Sequence, residues 1–586
     1  TNDIFGIGRD DASGLYQKQS RSVNNALDSG SRGQGVVTMG LSNVYNTNNL
    51  NPNTINDKEF LIWGNDGVDL DDPSVDVLVN MSSSIAPALT TDVEFYGIAR
   101  TWKVVEVGGD IPEVEVQVLT SAIRTATPPD GRYLMFISNT PNFDPTADYR
   151  VMTQTTNELG ESIVETTYDF DGTKYITFGW APERVYTRSI YFNGVSDYVD
   201  MDDNLDLDPT GFTVSAWVMR EAGSTNSTIL SKRDLSYTEG YDFKIDNSGR
   251  FEVSWKNGST QSITSSVVIP QSEWHHLAIV YSGGTANLYI DGVLDTTASL
   301  TAPVATTRSF NIAAAGKGAS LGDFFVGNID EVRVWDTALN VDELRYIMNQ
   351  EIEQNATFTN GVIIPQTITK NEVSDIPWSD LAGYYPMTTY TYTNTKDESG
   401  NGNTGALRNL RTVDRQTAPL PYQSQANGDW TTDATWLNNS VQTLPNALSI
   451  VDGVTPVNWN IVETNHNVNI STDAILGRER EVLGLFVSSN TLSVNGVNTS
   501  GTGNGLTVTH YLELDGEIDL NGESQLVQTI GSDLVVGASG KLYRDQQGTA
   551  DTYTYNYWSS PVGITDEGNN EYRYTLPQVM KDGTLN

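Results

Sequence analysis

Apolar and polar residues alternate over short runs along most of the chain, and this pattern predicts β-strands. Runs such as "EVEVQVLT", "KYITFGW", "FTVSAWV" and "LTVTHYLELDGEIDL" have the period of two that places every second side chain on one face of a strand. Asn-Gly, Asp-Gly and Gly-Gly pairs separate many runs, which is typical of antiparallel sandwiches and of solenoids. We therefore predict an all-β, multidomain chain of β-sandwiches.

Two stretches predict helices instead. One lies near residues 16–27. The other is "NVDELRYIM", where Asn340 as N-cap and Glu343 three residues later outline a capping box.

Changes in pattern divide the chain into four parts. Residues 1–187 predict one or two small β-sandwiches, and residues 188–350 form the best-defined unit. A polar connector rich in Thr and Asn follows over 351–423. From 424 to 586, short strands separated by tight turns, with no helix between them, predict a β-solenoid or a second sandwich.

Composition narrows the classes of partner. The 586 residues carry 74 acidic and 34 basic side chains, a net charge of −40. Such a chain repels phosphate backbones and anionic lipid, so we expect neither nucleic-acid binding nor membrane insertion. The acidity is compatible with calcium, which binds carboxylate and carbonyl oxygens. With no cysteine and four histidines, thiolate chemistry is excluded and a His-rich zinc site is not expected.

The best-defined unit carries several motifs in a fixed order: "SIYFNGVSDYVDM", "FTVSAWVM", "SEWHHLAIVY", "ANLYIDGVLD" and "GNIDEVRVWDTAL". Their order and spacing resemble the LamG-like jelly-roll family, a branch of the concanavalin A-like lectin/glucanase sandwiches. The resemblance implies a central jelly roll over 188–350. It implies function more weakly, because one fold serves many purposes.

The neighbouring carboxylates of Asp330 and Glu331 raise the question of catalysis. Successive side chains on a strand point to opposite faces, so we expect these two not to flank one glycosidic bond. We predict that Glu331 is surface charge paired with Arg333. Because the chain also lacks a Gly-x-Ser-x-Gly elbow, we predict no catalytic residues.

Asp330 has two possible roles. In relatives of this fold, an acid at the start of the last strand often meets the first hairpin to hold a structural calcium ion. The matching ligands here are Asn193, Gly194 through its carbonyl, Asp197 and Asp330. In the alternative, Asp330 caps a turn and Asp197 is solvated.

A bound ligand is expected at the sandwich rim, in the loop "SKRDLSYTEGYDF". There Tyr237 and Tyr241 could stack on sugar rings, while Lys232 and Asp242 hydrogen-bond to hydroxyl groups. The alternative is that these four are ordinary loop residues.

The flanking regions suggest a biological setting. "IFGIGRDDASGLYQKQSRSV", "KEFLIWGNDGVDL" and "DGRYLMFIS" resemble a β-rich module of very large secreted surface proteins in gliding Bacteroidota. "GDWTTDATW" and "NHNVNIS" resemble the entry to a β-solenoid in the same proteins. The resemblance implies secretion by the type IX route to the surface of a Gram-negative cell, an adhesin-type function that binds glycans or surface polymers, and a possible link to gliding motility. We also expect the chain to be a piece of a longer protein.

Two other functions stay open. A polysaccharide-degrading enzyme could use Glu513, Asp515, Glu517 and Asp519, which alternate along one run. They share a strand face only if no turn forms at Asp515-Gly516, and that pair favours a turn. A purely structural surface stalk is the remaining alternative.

Overall fold

We describe the protein from a computed structural model. It describes residues 2–21, 36–70, 75–80, 92–123, 131–143, 148–157, 159–182, 185–186, 189–365, 367–368, 375–387, 389–390, 394–403, 405–408, 418–498, 501–548, 553–555 and 580. These residues are nearly all in strands, turns and loops, as the alternation predicts. Within the same ranges, no helix is both long and apolar enough to cross a membrane.

The N-terminal module is built from antiparallel strands around one hydrophobic core. Its strands are β1 (Asn2–Asp10), β2 (Leu15–Gln17), β3 (Gln19–Arg21), β4 (Val37–Leu41), β5 (Phe60–Asn65), β6 (Val75–Asn80), β7 (Asp92–Gly97), β8 (Trp102–Val107), β9 (Val114–Leu119), β10 (Gly131–Ser138), β11 (Asp148–Thr156), β12 (Ser162–Tyr168) and β13 (Thr173–Pro182). The helix predicted near 16–27 is wrong for residues 16–21, because this stretch pairs as β2 and β3; the rest lies mostly outside the described residues.

The jelly roll follows, and its strands are β14 (Val185–Tyr186), β15 (Ile190–Asn193), β16 (Tyr198–Asp200), β17 (Gly211–Arg220), β18 (Ser227–Arg233), β19 (Gly240–Ile245), β20 (Arg250–Asn257), β21 (Ser259–Val268), β22 (Trp274–Ser282), β23 (Thr285–Ile290), β24 (Val293–Ser299), β25 (Phe310–Ile312) and β26 (Val326–Trp335). Helix α1 (Val341–Met348) comes next, and the Asn340–Glu343 capping box at its start is confirmed. After it come β27 (Ile352–Asn355), β28 (Phe358–Gly361), β29 (Leu381–Tyr385), β30 (Thr389–Tyr390), β31 (Asn394–Thr395) and β32 (Gly405–Arg408).

Two sheets face each other across the jelly-roll core. One has ten strands in the order β14-β30-β31-β32-β16-β25-β18-β19-β20-β21, and the other has the order β15-β26-β17-β22-β23-β24 with β29 also beside β26. Between them, Phe212 stacks on Tyr281 with ring centroids 5.2 Å apart, and Trp255 meets Tyr281 edge-on at 5.6 Å. Trp255 is 1% exposed, as expected for a core residue rather than a sugar platform.

The predicted connector over 351–423 is not a separate linker. β29 pairs with β26 in one jelly-roll sheet, and β32 pairs with β16 in the other. The polar composition of this stretch hid its role, because short strands that add to existing sheets need few apolar residues of their own. The jelly roll therefore extends to Arg408.

A parallel β-solenoid forms the C-terminal part of the described chain. Its strands are β33 (Tyr422–Gln423), β34 (Gly428–Asp429), β35 (Ile461–Thr464), β36 (Val468–Ile470), β37 (Glu479–Val487), β38 (Thr491–Val494), β39 (Gly505–Leu514), β40 (Glu517–Leu520), β41 (Gln525–Gln528), β42 (Asp533–Val536) and β43 (Lys541–Arg544). Successive rungs pair in parallel, β33-β35-β37-β39 on one side and β34-β36-β38-β40-β43 on the other. Apolar side chains stack between the two sides.

Trp459 joins the solenoid to the jelly roll. Its indole Nε1 donates to the carbonyl of Asp291 at 3.0 Å, and the Arg345 guanidinium lies 3.8 Å from the ring centroid. Its own carbonyl accepts from Asn349 Nδ2 at 3.1 Å. At Gly292, where φ is +74°, a Cβ would lie 2.8 Å from the indole nitrogen, so this contact requires glycine.

Replacing Trp459 by alanine should destabilise this junction. The indole is half-buried, so we expect a loss of about 2 kcal/mol, less than for a fully buried tryptophan. Calorimetry of the full chain would measure it as a lower transition temperature. Leu437→Ala, at a side chain that is 51% exposed, serves as control and should change little. Equal transitions for Trp459→Ala and wild type would contradict the assigned role.

Candidate functional site

A β-bulge in β26 turns Asp330 and Glu331 toward the same side of the sheet. The register shifts by one residue between the pairs Ser215–Arg333 and Trp217–Asp330, and Glu331 has a φ of +51°. The extra residue interrupts the alternation on which the sequence prediction depended. The prediction of opposite faces is therefore wrong. No residue type marks this bulge, because Glu331 is not a glycine.

Both carboxylates are buried, each residue being 1% exposed, so the prediction that Glu331 is surface charge is also wrong. Its predicted partner is right: the Arg333 guanidinium donates to Glu331 Oε2. The Tyr384 hydroxyl donates to the same carboxylate at 3.0 Å. Asp330 accepts backbone N–H groups from Glu331 at 3.0 Å and from Ala418 at 3.1 Å.

This carboxylate pair is a packing element. Burial and the neighbouring Glu331 raise the pKa of Asp330 well above its ordinary value. Burial raises the pKa of Glu331 from 4.5 to about 7, against the opposing effect of Arg333. With both groups covered by α1, β29 and the segment at Ala418, the pair holds these three segments against β26.

Stability should therefore depend on pH through Glu331. Its folded pKa of about 7 exceeds the ordinary 4.5, so the unfolded chain releases this proton at lower pH than the folded chain does. Stability should fall as pH rises from about 4.5 through about 7, by roughly 3 kcal/mol at most. Urea midpoints at pH 5 and pH 8 measure the change.

The variant Glu331→Gln lacks the titrating group and should show a smaller fall between these two pH values. Glu353→Gln, at an exposed position of β27, is the matched control and should keep the wild-type dependence. An unchanged pH profile in Glu331→Gln would contradict the assignment.

The four predicted calcium ligands do not come together. Asn193 pairs with Val326, so Asp330 lies four residues further along β26, about 13 Å away at the rise of a strand. The hairpin closes on itself, since Asn193 Nδ2 donates to Asp197 Oδ1 at 2.8 Å. Asp197 is fully buried rather than solvated. Asp330 is thus wrong as a ligand beside Asn193, Gly194 and Asp197, and calcium binding itself stays a prediction.

The four predicted rim residues divide between the two faces of the ten-stranded sheet. Tyr241 is a core residue, 3% exposed, and its hydroxyl donates to the Leu205 carbonyl at 2.6 Å. Stacking of Tyr241 on a sugar is therefore wrong. Asp242 points to the outer face but is 1% exposed and paired with Arg233 at 2.9 Å. Tyr237 alone is half-buried on the outer face.

Lys232 is a structural cation and does not face a ligand. It is fully buried, and its Nζ lies 2.8 Å from Asp203 Oδ1 and 2.9 Å from Asp206 Oδ1. Both aspartates are partly exposed, at 52% and 39% of their side chains. The ammonium group therefore holds the segment "DDNLDLD" against the sandwich.

Removing the charges of the two aspartates should destabilise the protein more than removing the charge of Lys232. Asp203→Asn with Asp206→Asn leaves a buried ammonium uncompensated and should cost about 3 kcal/mol. Lys232→Met leaves two carboxylates that water can reach and should cost less than about 1 kcal/mol. Urea unfolding measures both. A larger loss in Lys232→Met than in the double variant would contradict this assignment.

The two adjacent histidines, His275 and His276, are buried and structural. His275 Nδ1 lies 2.7 Å from Asp291 Oδ2, and His276 packs against Trp217 with ring centroids 5.5 Å apart. Burial lowers the pKa of His276 to about 3.

The acidic run of the solenoid is split as expected, because Glu513 is on β39 and Glu517 on β40, in different sheets.

The candidate site is the outer face of β19, β20 and β21. Register aligns three cross-strand pairs on it: Glu252 with Thr264, Ser254 with Ser262 and Lys256 with Thr260. Thr260 and Ser262 are exposed, whereas Lys256 and Thr264 are partly buried. The result is a shallow floor of hydroxyl and charged groups. Sequence alternation marks these residues as polar and outward, yet it does not say which sheet stays uncovered.

The loop before β19 forms one wall of this floor. Tyr237 donates or accepts a hydrogen bond with Ser254 Oγ at 2.8 Å, which lays its ring over the sheet. Arg233 donates to the carbonyls of Asp234 and Leu235 at 3.1 and 3.3 Å. The Asp234 carboxylate accepts from the Thr238 backbone at 2.8 Å. The wall is therefore held in place before any ligand arrives.

Family models match the jelly roll and the N-terminal module separately. Residues 192–345 match the family described as the concanavalin A-like lectin/glucanases superfamily. They form a concanavalin A-like domain. Residues 1–170 match a family described as a domain of unknown function. The match to the concanavalin A-like domain ends before β29, so it leaves out strands that complete both sheets.

Individual relatives are distant. Pappalysin-1 of Mus musculus is 23% identical over 179 residues, and this chain spans 11% of its length. Among solved structures, a putative carbohydrate binding protein from Bacteroides ovatus has a TM-score of 0.29 at 14% identity, covering 54% of this chain and 96% of that one. Domain 4 of an extracellular arabinanase from Geobacillus stearothermophilus, in complex with arabinotriose, has a TM-score of 0.23 at 19% identity, covering 28% of this chain and 85% of that one.

Proposed function

We propose that this protein is a non-enzymatic, secreted, adhesin-type protein of a cell surface, and that its concanavalin A-like domain binds glycans on the outer face of β19–β21. One observation carries the proposal. This face presents exposed polar groups beside an anchored aromatic residue, while the outer side of β17 and β26 in the other sheet is covered by the chain itself.

The covered face leaves no room for a ligand. Arg333 donates to the carbonyl of Ile347 in α1 at 2.7 Å, and Trp217 Nε1 donates to that of Met348 at 2.6 Å. Trp335 is fully buried in a cluster that includes Ile461 of the solenoid. A glycan would have to displace the helix and the solenoid to reach the outer side of β17 and β26.

The uncovered face has the chemistry that sugars require. Hydroxyl groups of Thr260 and Ser262 both donate and accept hydrogen bonds, as sugar hydroxyls do. Glu252 and Lys256 add one charged acceptor and one charged donor. The Tyr237 ring, with Arg233 and Lys256 lying over it, adds apolar surface at the edge of this floor where it is solvent-accessible.

The cellular setting belongs to the same proposal. A chain with a net charge of −40 stays dispersed outside a cell by charge repulsion. A rigid solenoid joined to a binding domain suits the presentation of that domain away from a surface. Secretion by the type IX route, and partners in its machinery or in gliding motility, follow from the resemblance of the flanking motifs to Bacteroidota surface proteins.

A glycan array and a panel of insoluble polysaccharides, probed with the full chain, test the binding proposal. Ser262→Leu places a bulky apolar side chain on the exposed floor and should reduce binding at least tenfold. Thr167→Leu makes a comparable change at an exposed position of β12 in the N-terminal module and should leave binding intact.

The same samples are assayed for released sugar. Binding without release, lost in Ser262→Leu alone, supports the proposal. Release of reducing sugar would overturn the non-enzymatic assignment. Binding that Ser262→Leu leaves unchanged would move the site to another part of the chain.

A further inference from the structure

We infer that the glycan bound on this face is anionic: a polysaccharide bearing carboxylate or sulfate groups, lying along β20 between Arg250 and Lys256. The inference rests on the proposed glycan binding and adds the charge and direction of the ligand. It starts from the residues that β20 presents on its outer side, Arg250, Glu252, Ser254 and Lys256.

Most charges on this face are already paired. Arg233 contacts Asp242 at 2.9 Å and Asp323 at 2.5 Å. Lys244 Nζ lies 3.3 Å from Glu252 Oε1. These contacts place a cation beside each of the carboxylates Asp242, Asp323 and Glu252, which weakens their repulsion of an anion.

Two cations of the same row lack such a partner. Within the ranges that the structure describes, neither Arg250 nor Lys256 forms an ion pair. Lys256 donates to the Thr260 hydroxyl at 2.7 Å, and its Nζ lies 4.7 Å from the centroid of the Tyr237 ring. Arg250 is exposed. Both keep hydrogen-bond capacity for a ligand anion, and such charge-assisted bonds are stronger than neutral ones.

The pairing of β19 with β20 determines where Lys256 lies. Trp255 of β20 pairs with Tyr241 of β19. Because the strands are antiparallel, Lys256, the next residue of β20, lies beside Gly240, the preceding residue of β19. At Gly240 φ is +83°, and a Cβ there would lie 1.8 Å from the Lys232 carbonyl oxygen. Both Arg233 and Lys256 lie within 5 Å of the centroid of the Tyr237 ring, at 4.9 and 4.7 Å. The lysine is therefore held over the ring instead of ranging freely.

The spacing favours an extended ligand. Arg250 and Lys256 are six residues apart on one strand, about 20 Å at the rise of a strand. A single sugar cannot reach both, whereas a linear polyanion lying along β20 can. The chain has a net charge of −40, so the rest of its surface would repel the same polymer. Attachment of the polymer therefore depends on Arg250 and Lys256.

Matched polymers separate charge from sugar identity. The full chain is titrated with polygalacturonate and with its methyl ester, and with dextran sulfate and dextran, at 50 and 300 mM salt. The expected result is at least tenfold tighter binding of one acidic polymer than of its neutral partner, weakening as salt rises. The two pairs distinguish carboxylate from sulfate as the anion.

Substitutions of Arg250 and Lys256 then test whether these two cations bind the polymer. Arg250→Gln with Lys256→Gln should lower affinity for the acidic polymer about tenfold or more and flatten its salt dependence. Lys174→Gln, at a lysine of the N-terminal module that bonds Asn139, is the control and should bind as wild type does.

The failure of this inference differs from the failure of the proposed function. Binding of neutral glycans that Ser262→Leu abolishes and the double glutamine variant leaves intact would overturn the anionic inference alone. Acidic binding that the double variant leaves unchanged would also overturn it. If no glycan on the array or in either polymer pair binds, both proposals fall.

Discussion

The covering of strands β17 and β26 of one jelly-roll sheet by the rest of the chain is the constraint on which the other features depend. Helix α1 and the start of the solenoid pack on the outer side of β26, and β29 pairs beside it in the same sheet. That side carries two adjacent carboxylates because a bulge adds one residue at Glu331. One arginine, one tyrosine hydroxyl and backbone N–H groups satisfy them, so a feature that resembles a catalytic pair in sequence is a buried joint in the folded chain.

The proposed site lies on the other, ten-stranded sheet. The ten-stranded sheet keeps an uncovered end at β19–β21, where floor residues such as Ser262 are exposed. A sandwich with both outer faces covered would have only its rim loops for binding. Here the rim loop instead folds back, and Tyr237 anchors it on Ser254. The proposed binding groups therefore lie on the face of the sheet, bounded by a loop that hydrogen bonds of Tyr237 and Asp234 hold in place.

Sequence patterns predicted much of the architecture and little of the site. Period-two alternation indicated all-β structure and the jelly-roll order of motifs, and the Asn340–Glu343 pair marked the helix start. The faces of Asp330 and Glu331 were wrong because a bulge changes the period without a glycine to signal it. Lys232 and Tyr241 were placed at a ligand because polarity in a loop sequence does not reveal burial, which depends on strands distant in the chain.

The strands after helix α1 have a consequence for how such a domain can pass between genes. The unit that matches the concanavalin A-like family ends at residue 345, yet β29 and β32 complete the two sheets at positions up to Arg408. A recombination event that cut at the end of the matched unit would carry off a sandwich with both sheets unfinished. The folding unit is therefore longer than the segment that sequence comparison recognises, and transfer of the intact domain between proteins requires the polar tail to travel with it.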